Sequence, residues 1–135
     1  ELDANINPED SFSWEIVERA HEVGIRQMTL AEQYGGLGTD SLTTSMVIEE
    51  LGKGDLGVSV IFAQTLKIAQ IMQAALNKEQ QSRVLPVFSE DPRGMLGIGI
   101  TEPDNASNYF IPHPTPFRTS AEKVDGGWIV NGMNN

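Results

Sequence analysis

Along the first two thirds of the chain, apolar positions recur at the three-to-four residue spacing of a helix, and beyond Pro92 short β-like runs replace that period. Ile16, Ala20 and Val23 share one face of a predicted helix from about Trp14 to Val23. Ser11 or Ser13 is available to cap it, Glu15 stands four residues before Arg19, and Gly24 ends it. Adjacent glycines forbid a regular element over the next stretch, so Ile25 to Gly38 reads as a turn-rich connector. Asp40 or Ser41 caps a second helix through about Lys53, with Leu42 and Met46, then Val47 and Leu51, in register, and Glu49 placed to pair with Lys53.

Asp55 to Leu76 is apolar nearly all round. Its length would span a bilayer, but Lys67 and glutamines at positions 64, 70 and 73 are costly in hydrocarbon, so it reads as the central buried helix of a bundle. Asn77 with Gln80 has the pattern of a capping box opening a further helix to about Ser89, and Glu79 is placed to support Arg83. Five of the seven prolines lie from Pro92 onward, where β-like runs occupy Met95 to Thr101, Phe117 to Val124 and Trp128 to Asn131. Asp125-Gly126-Gly127 between the last two signals a hairpin. The expected division is a helical domain over 1–92 and the beginning of a β domain over 93–135. That β part is too small for a core of its own, so a longer protein is expected.

Composition adds exclusions. At 39% apolar and 21% charged residues the chain is a globular mix, and with no cysteine it has neither disulfides nor thiolate chemistry. A net charge of -10 without a Lys/Arg cluster argues against nucleic acid, and leaves any phosphate-rich ligand dependent on backbone N–H groups and a few local cations. His21 and His113 lie far apart with no partner at ligand spacing, so they read as surface or boundary residues rather than a metal site. Glu49 and Glu50 point to different sides of their helix and cannot share a substrate proton. Trp14 and Trp128 read as packing anchors.

The stretch of greatest chemical interest is Ile98 to Ser107, IGITEPDNAS. Its glycine-bearing apolar half suits a buried strand that something approaches closely, and Pro103 stops that strand near Thr101. Asp104, Asn105 and Ser107 then turn the chain, leaving N–H groups able to cradle an anion. Taken alone, this is also the pattern of an ordinary strand and turn.

Thr101-Glu102-Pro103 with Ser107 resembles the T-E-P-x-x-x-S-D signature of the acyl-CoA dehydrogenases. Two more stretches agree in order: Gln33 to Gly38 followed by Val47 to Leu51 resembles the family's Y-G-G-x-G and E-E-L, and Val124 to Gly132 resembles its D-G-x-x-x-N-G hairpin. The resemblance implies an α+β fold, in which an N-terminal all-α helical bundle leads into the first strands of a β-barrel-like middle domain. It implies FAD as cofactor and α,β-desaturation of an acyl-CoA thioester, with electrons passing to an electron-transfer flavoprotein. It further implies a homo-oligomer, dimer or tetramer, that is cytoplasmic, or in the mitochondrial matrix if eukaryotic.

By the same resemblance Ile98, Gly99, Ile100 and Thr101 face the polar edge of the flavin, and Ser107 stands near both the FAD pyrophosphate and the acyl-CoA. The catalytic base is a glutamate of the family's C-terminal domain, so no catalytic residue is named here. Ala106 stands where the family usually has glycine, Asn108 where it has aspartate, and Asn134 where a Lys or Arg is usual. These departures keep open a flavin-dependent monooxygenase of the same superfamily, and a non-catalytic helical interaction module that has lost the cofactor. Tyr109 to Arg118, with three prolines and three aromatic residues, is expected at the mouth of the substrate channel.

Overall fold

The computed structural model describes residues 12–103, 105 and 117–134. The chain divides into two compact units, Glu1–Gly97 and Ile98–Asn135. The first carries α1 (Trp14–Glu22), a 3-10 turn (Glu32–Tyr34), α2 (Ser41–Gly54), α3 (Leu56–Ala75) and α4 (Lys78–Glu90). The second carries an antiparallel hairpin of β1 (Ser120–Val124) and β2 (Gly127–Asn131). Helices followed by strands are thus the order observed, as the pattern predicts.

Local chemistry sets the helix ends. Asp40 caps α2 by accepting from Thr43 N–H at 2.8 Å, which holds its carboxyl below the ordinary carboxylate range. Asp55 serves as C-cap of α2 and N-cap of α3, accepting from Val58 N–H at 2.9 Å. A single residue therefore joins the two helices, and Ser59 Oγ donates to Ile48 C=O at 2.8 Å across the hairpin. The capping box opening α4 is present in both directions: Gln80 N–H donates to Asn77 Oδ1 at 2.9 Å, and Asn77 N–H to Gln80 Oε1 at 3.0 Å.

Two clusters make the core of this unit. Val17, Ala20 and Phe62 are buried with Ile25, Ile48, Leu51 and Met95 packed on them; Leu30, Ala69, Leu85 and Phe88 are buried with Tyr34, Met72 and Leu96 around them. The connector contributes more than its turn-rich sequence promises, because Arg26 to Leu30 are all buried. Its main chain is tied to α3 by Gln73, whose Nε2 donates to Thr29 C=O at 3.0 Å and whose Oε1 accepts from Ala31 N–H at 2.8 Å. Gly36 sits so tightly on Leu30 that a Cβ would collide with the Leu30 carbonyl. The close approach at Gly36 serves connector packing.

Arg26 is the centre of the unit's polar interior and is 0% exposed. Its guanidinium donates to the carbonyls of Phe88 (3.0 Å), Ser89 (2.9 Å) and Gly94 (2.8 Å) and lies 4.6 Å from the Phe88 ring centroid. It thereby places a cation on the last carbonyls of α4, the negative end of the helix dipole. Nη2 also lies 2.9 Å from His21 Nδ1; the guanidinium can only donate, so Nδ1 is the unprotonated acceptor.

Several sequence expectations change in the folded unit. Ser13 stands at the N-cap of α1 but makes no side-chain cap bond. The buried face of α1 is Val17 and Ala20, with Ile16 and Val23 exposed, because the core approaches from Phe62. Arg19 pairs with Glu22 and Lys53 with Glu50, each at i,i+3 in place of the expected i,i+4 partner. Leu42 and Met46 of α2 are exposed. α3 is long and apolar enough to cross a membrane by length and composition, yet it is not buried all round. It buries Ser59, Phe62, Thr65, Leu66, Ile68 and Ala69 and exposes Leu56, Val60 and Ile71, so one face packs on the unit's two clusters. His21 is half-buried against Arg26 rather than a simple surface residue. Trp14 packs edge-on to Phe12, whereas Trp128 is exposed on the hairpin.

Candidate functional site

The second unit holds the stretch singled out by sequence. Ile98 to Thr101 carries no strand ladder, so the expected buried strand over Met95 to Thr101 is not formed among the described residues. A strand exists through its partner, and among the described residues β1 and β2 pair only with each other. Ile98 and Gly99 are exposed, Ile100 and Thr101 half-buried. Among the described residues, no hydrogen bond engages the main chain from Gly97 to Thr101 or the Thr101 hydroxyl. With no strand there, Pro103 ends none; Glu102 and Asn105 instead exchange N–H to C=O bonds of 3.1 and 3.0 Å around Pro103.

Around this open edge stands a frame joined from distant positions in the sequence. The Glu102 carboxylate accepts the N–H of Arg118 on Oε2 and the N–H of Thr119 on Oε1, both at 2.7 Å. The hydroxyl of Thr119 in turn donates to Asn134 Oδ1 at 3.2 Å. Asn134 closes on Gly99, where a Cβ would lie 3.1 Å from Nδ2. Gly132 serves the same end, since a Cβ there would collide with Thr119 Oγ1. Gly99, Ile100, Glu102, Phe117, Thr119 and Asn134 line a cavity of about 280 Å³.

Glu102 is only 4% exposed, and the N–H of Arg118 followed by the bonds from Thr119 holds its carboxyl below the ordinary glutamate range against the opposing effect of burial. A charged residue closing an otherwise apolar run is the one signal of this clamp in the sequence; its acceptor role depends on N–H groups sixteen and seventeen residues later.

The residues present suit a flat ring with one polar edge. Unengaged N–H and C=O groups and the Thr101 hydroxyl match a mixed set of ring carbonyls and N–H. The donor set therefore fits a flavin edge. Ser107, Ala106, Asn108 and His113, and the segment from Tyr109 to Pro116, lie outside the described residues. The first unit offers a comparable cleft of about 280 Å³ between the start of α1 and α3, but its one charged residue, Asp55, is already engaged as a helix cap.

Residues 2–90 match the family model for the acyl-CoA dehydrogenase N-terminal domain. A probable medium-chain specific acyl-CoA dehydrogenase 2, mitochondrial, of Caenorhabditis briggsae is 30% identical over 96% of this chain and 30% of its own length. The mitochondrial isovaleryl-CoA dehydrogenase of Solanum tuberosum is 27% identical over 95% of this chain and 29% of its own. The mitochondrial short-chain specific acyl-CoA dehydrogenase of Rattus norvegicus is 25% identical over 96% and 30%. The chain thus spans under a third of the length of these relatives.

Proposed function

Because the chain belongs to the acyl-CoA dehydrogenase family, we propose that the full-length protein containing it is an FAD-dependent acyl-CoA dehydrogenase that desaturates an acyl-CoA thioester between its α and β carbons. The observation that carries this reading is the Ile98 to Thr101 stretch, with a main-chain edge and a Thr101 hydroxyl left open among the described residues. FAD, when bound, would supply the acceptor for the hydride that leaves the β carbon.

This chain's part is to bind and orient. Ile98 and Ile100 supply apolar contact, and Thr101 donates to an acceptor on the ring edge. Fixed donors there stabilise negative charge that develops on reduction, more so when water is excluded. Ser107 is assigned to the pyrophosphate and thioester by family likeness alone. The base is assigned to a part of the protein beyond this chain.

The proposal extends to an electron-transfer flavoprotein as electron acceptor, a homo-oligomeric state, and a location in the mitochondrial matrix if eukaryotic, or otherwise in the cytoplasm. It divides the chain into a helical domain through 92 and a β domain from 93. In the full-length protein, Thr101→Ala should weaken FAD binding or slow flavin reduction, since a hydrogen bond to a charged or charge-developing group contributes about 1.5–3 kcal/mol. Unchanged affinity and unchanged reduction would remove Thr101 from the site.

A further inference from the structure

Glu102 sits next to Thr101, is almost fully buried, and has its carboxylate hydrogen-bonded by main-chain N–H groups rather than by solvent. Two consecutive N–H groups converge on its two carboxylate oxygens at 2.7 Å each, an anion nest filled from within the unit. The same residue's main chain is pinned to Asn105 in both directions. Glu102 is therefore fixed through its side chain and its backbone at once, while the four residues before it make no hydrogen bonds among the described residues. The remaining restraint near that open stretch comes from Thr119, which links the clamp to Asn134 over Gly99.

We propose that Glu102 is a positioning residue for the flavin edge: its carboxylate clamps the main chain at Arg118 and Thr119, and this fixes where the Thr101 hydroxyl and the Gly99 main chain stand. The proposal rests on Ile98 to Thr101 being the flavin-facing stretch. Both carboxylate oxygens of Glu102 are committed to the clamp, so its effect on the ring passes through its neighbour.

The test measures FAD dissociation constants of the full-length apoprotein for wild type, Thr101→Ala, Glu102→Gln and Glu102→Asp, with hydrogen exchange followed in peptides covering 98–103 and 117–124. Glutamine keeps one acceptor but turns an NH2 group toward the second N–H, so Glu102→Gln should weaken FAD about tenfold, the equivalent of one lost charge-assisted hydrogen bond. It should also speed exchange at 117–124 and shift the visible band of the flavin that still binds. Aspartate retains the charge one methylene short and should recover part of the lost affinity.

Wild-type binding of FAD to Thr101→Ala would defeat the flavin-facing reading itself. Weakened binding by Thr101→Ala with wild-type binding by Glu102→Gln would leave that reading standing and overturn the clamp. An aspartate no better than glutamine would also overturn it, reducing Glu102 to bulk packing. The wild-type protein gives a check that needs no variant: FAD should slow exchange in 98–103 and 117–124 together, and protection of 98–103 alone would contradict the coupling.

Discussion

Arg26 shows what a single side chain contributes to this fold. Removing it leaves the carbonyls of Phe88, Ser89 and Gly94 facing a cavity without their donor. Burial pushes its guanidinium below the ordinary arginine value while the charge of Asp91 pulls it back up; it stays protonated. Arg26→Leu should lower stability by about 3 kcal/mol, within the cost of breaking a buried charged network, seen as a shift of the urea midpoint. An unchanged midpoint would contradict the role given to it. Nothing in the sequence marks this residue, because its partners are main-chain carbonyls more than sixty positions away.

Thr101 and Glu102 both fall in the family-like T-E-P run, whereas the partners of the Glu102 clamp, the N–H groups of Arg118 and Thr119, carry no signal in the sequence. The clamp also makes a pH prediction. Since the folded state holds the Glu102 carboxyl below the ordinary range, the unfolded chain takes up the proton first as pH falls. Its stabilisation is complete above the ordinary glutamate value, shrinks below it, and is lost as pH falls through the lowered folded value. Exchange at the Arg118 and Thr119 amides should accelerate on that acid side beyond the intrinsic pH effect. A Glu102 carboxyl titrating at the ordinary glutamate value would refute this.

At the scale of elements, the parts readable from sequence are those decided within one turn of chain. Asp40 and the Asn77 with Gln80 box cap their helices by bonds spanning three residues, and Gly24 ends α1 with a positive φ of 80°. Which face each helix buries is less legible, because Val17 replaces Ile16 only once Phe62 is brought against it. The hairpin is signalled by Asp125-Gly126-Gly127 and forms there, yet all of β1 and β2 is exposed. A two-stranded ribbon without a covered face is marginal by itself. Hydrogen exchange on this chain should therefore find slow amides from Phe62 to Ala69 in α3 and fast ones across β1, β2 and Ile98 to Thr101. Equal protection in both units would defeat that expectation.

On the scale of the whole molecule, the net charge of -10 gives no attraction for a phosphate-rich ligand, so the proposed FAD binding would depend on local donors such as Thr101 and the open N–H groups beside it. The relatives extend well beyond the span matched here, and the proposed chemistry accordingly belongs to the full-length protein. Its most direct test is anaerobic addition of saturated acyl-CoA thioesters of graded chain length to the flavin-loaded full-length protein. The proposed reaction predicts that the flavin's visible band bleaches with one of them, without oxygen and with formation of the 2-enoyl thioester. A flavin that stays oxidised with every thioester would contradict it.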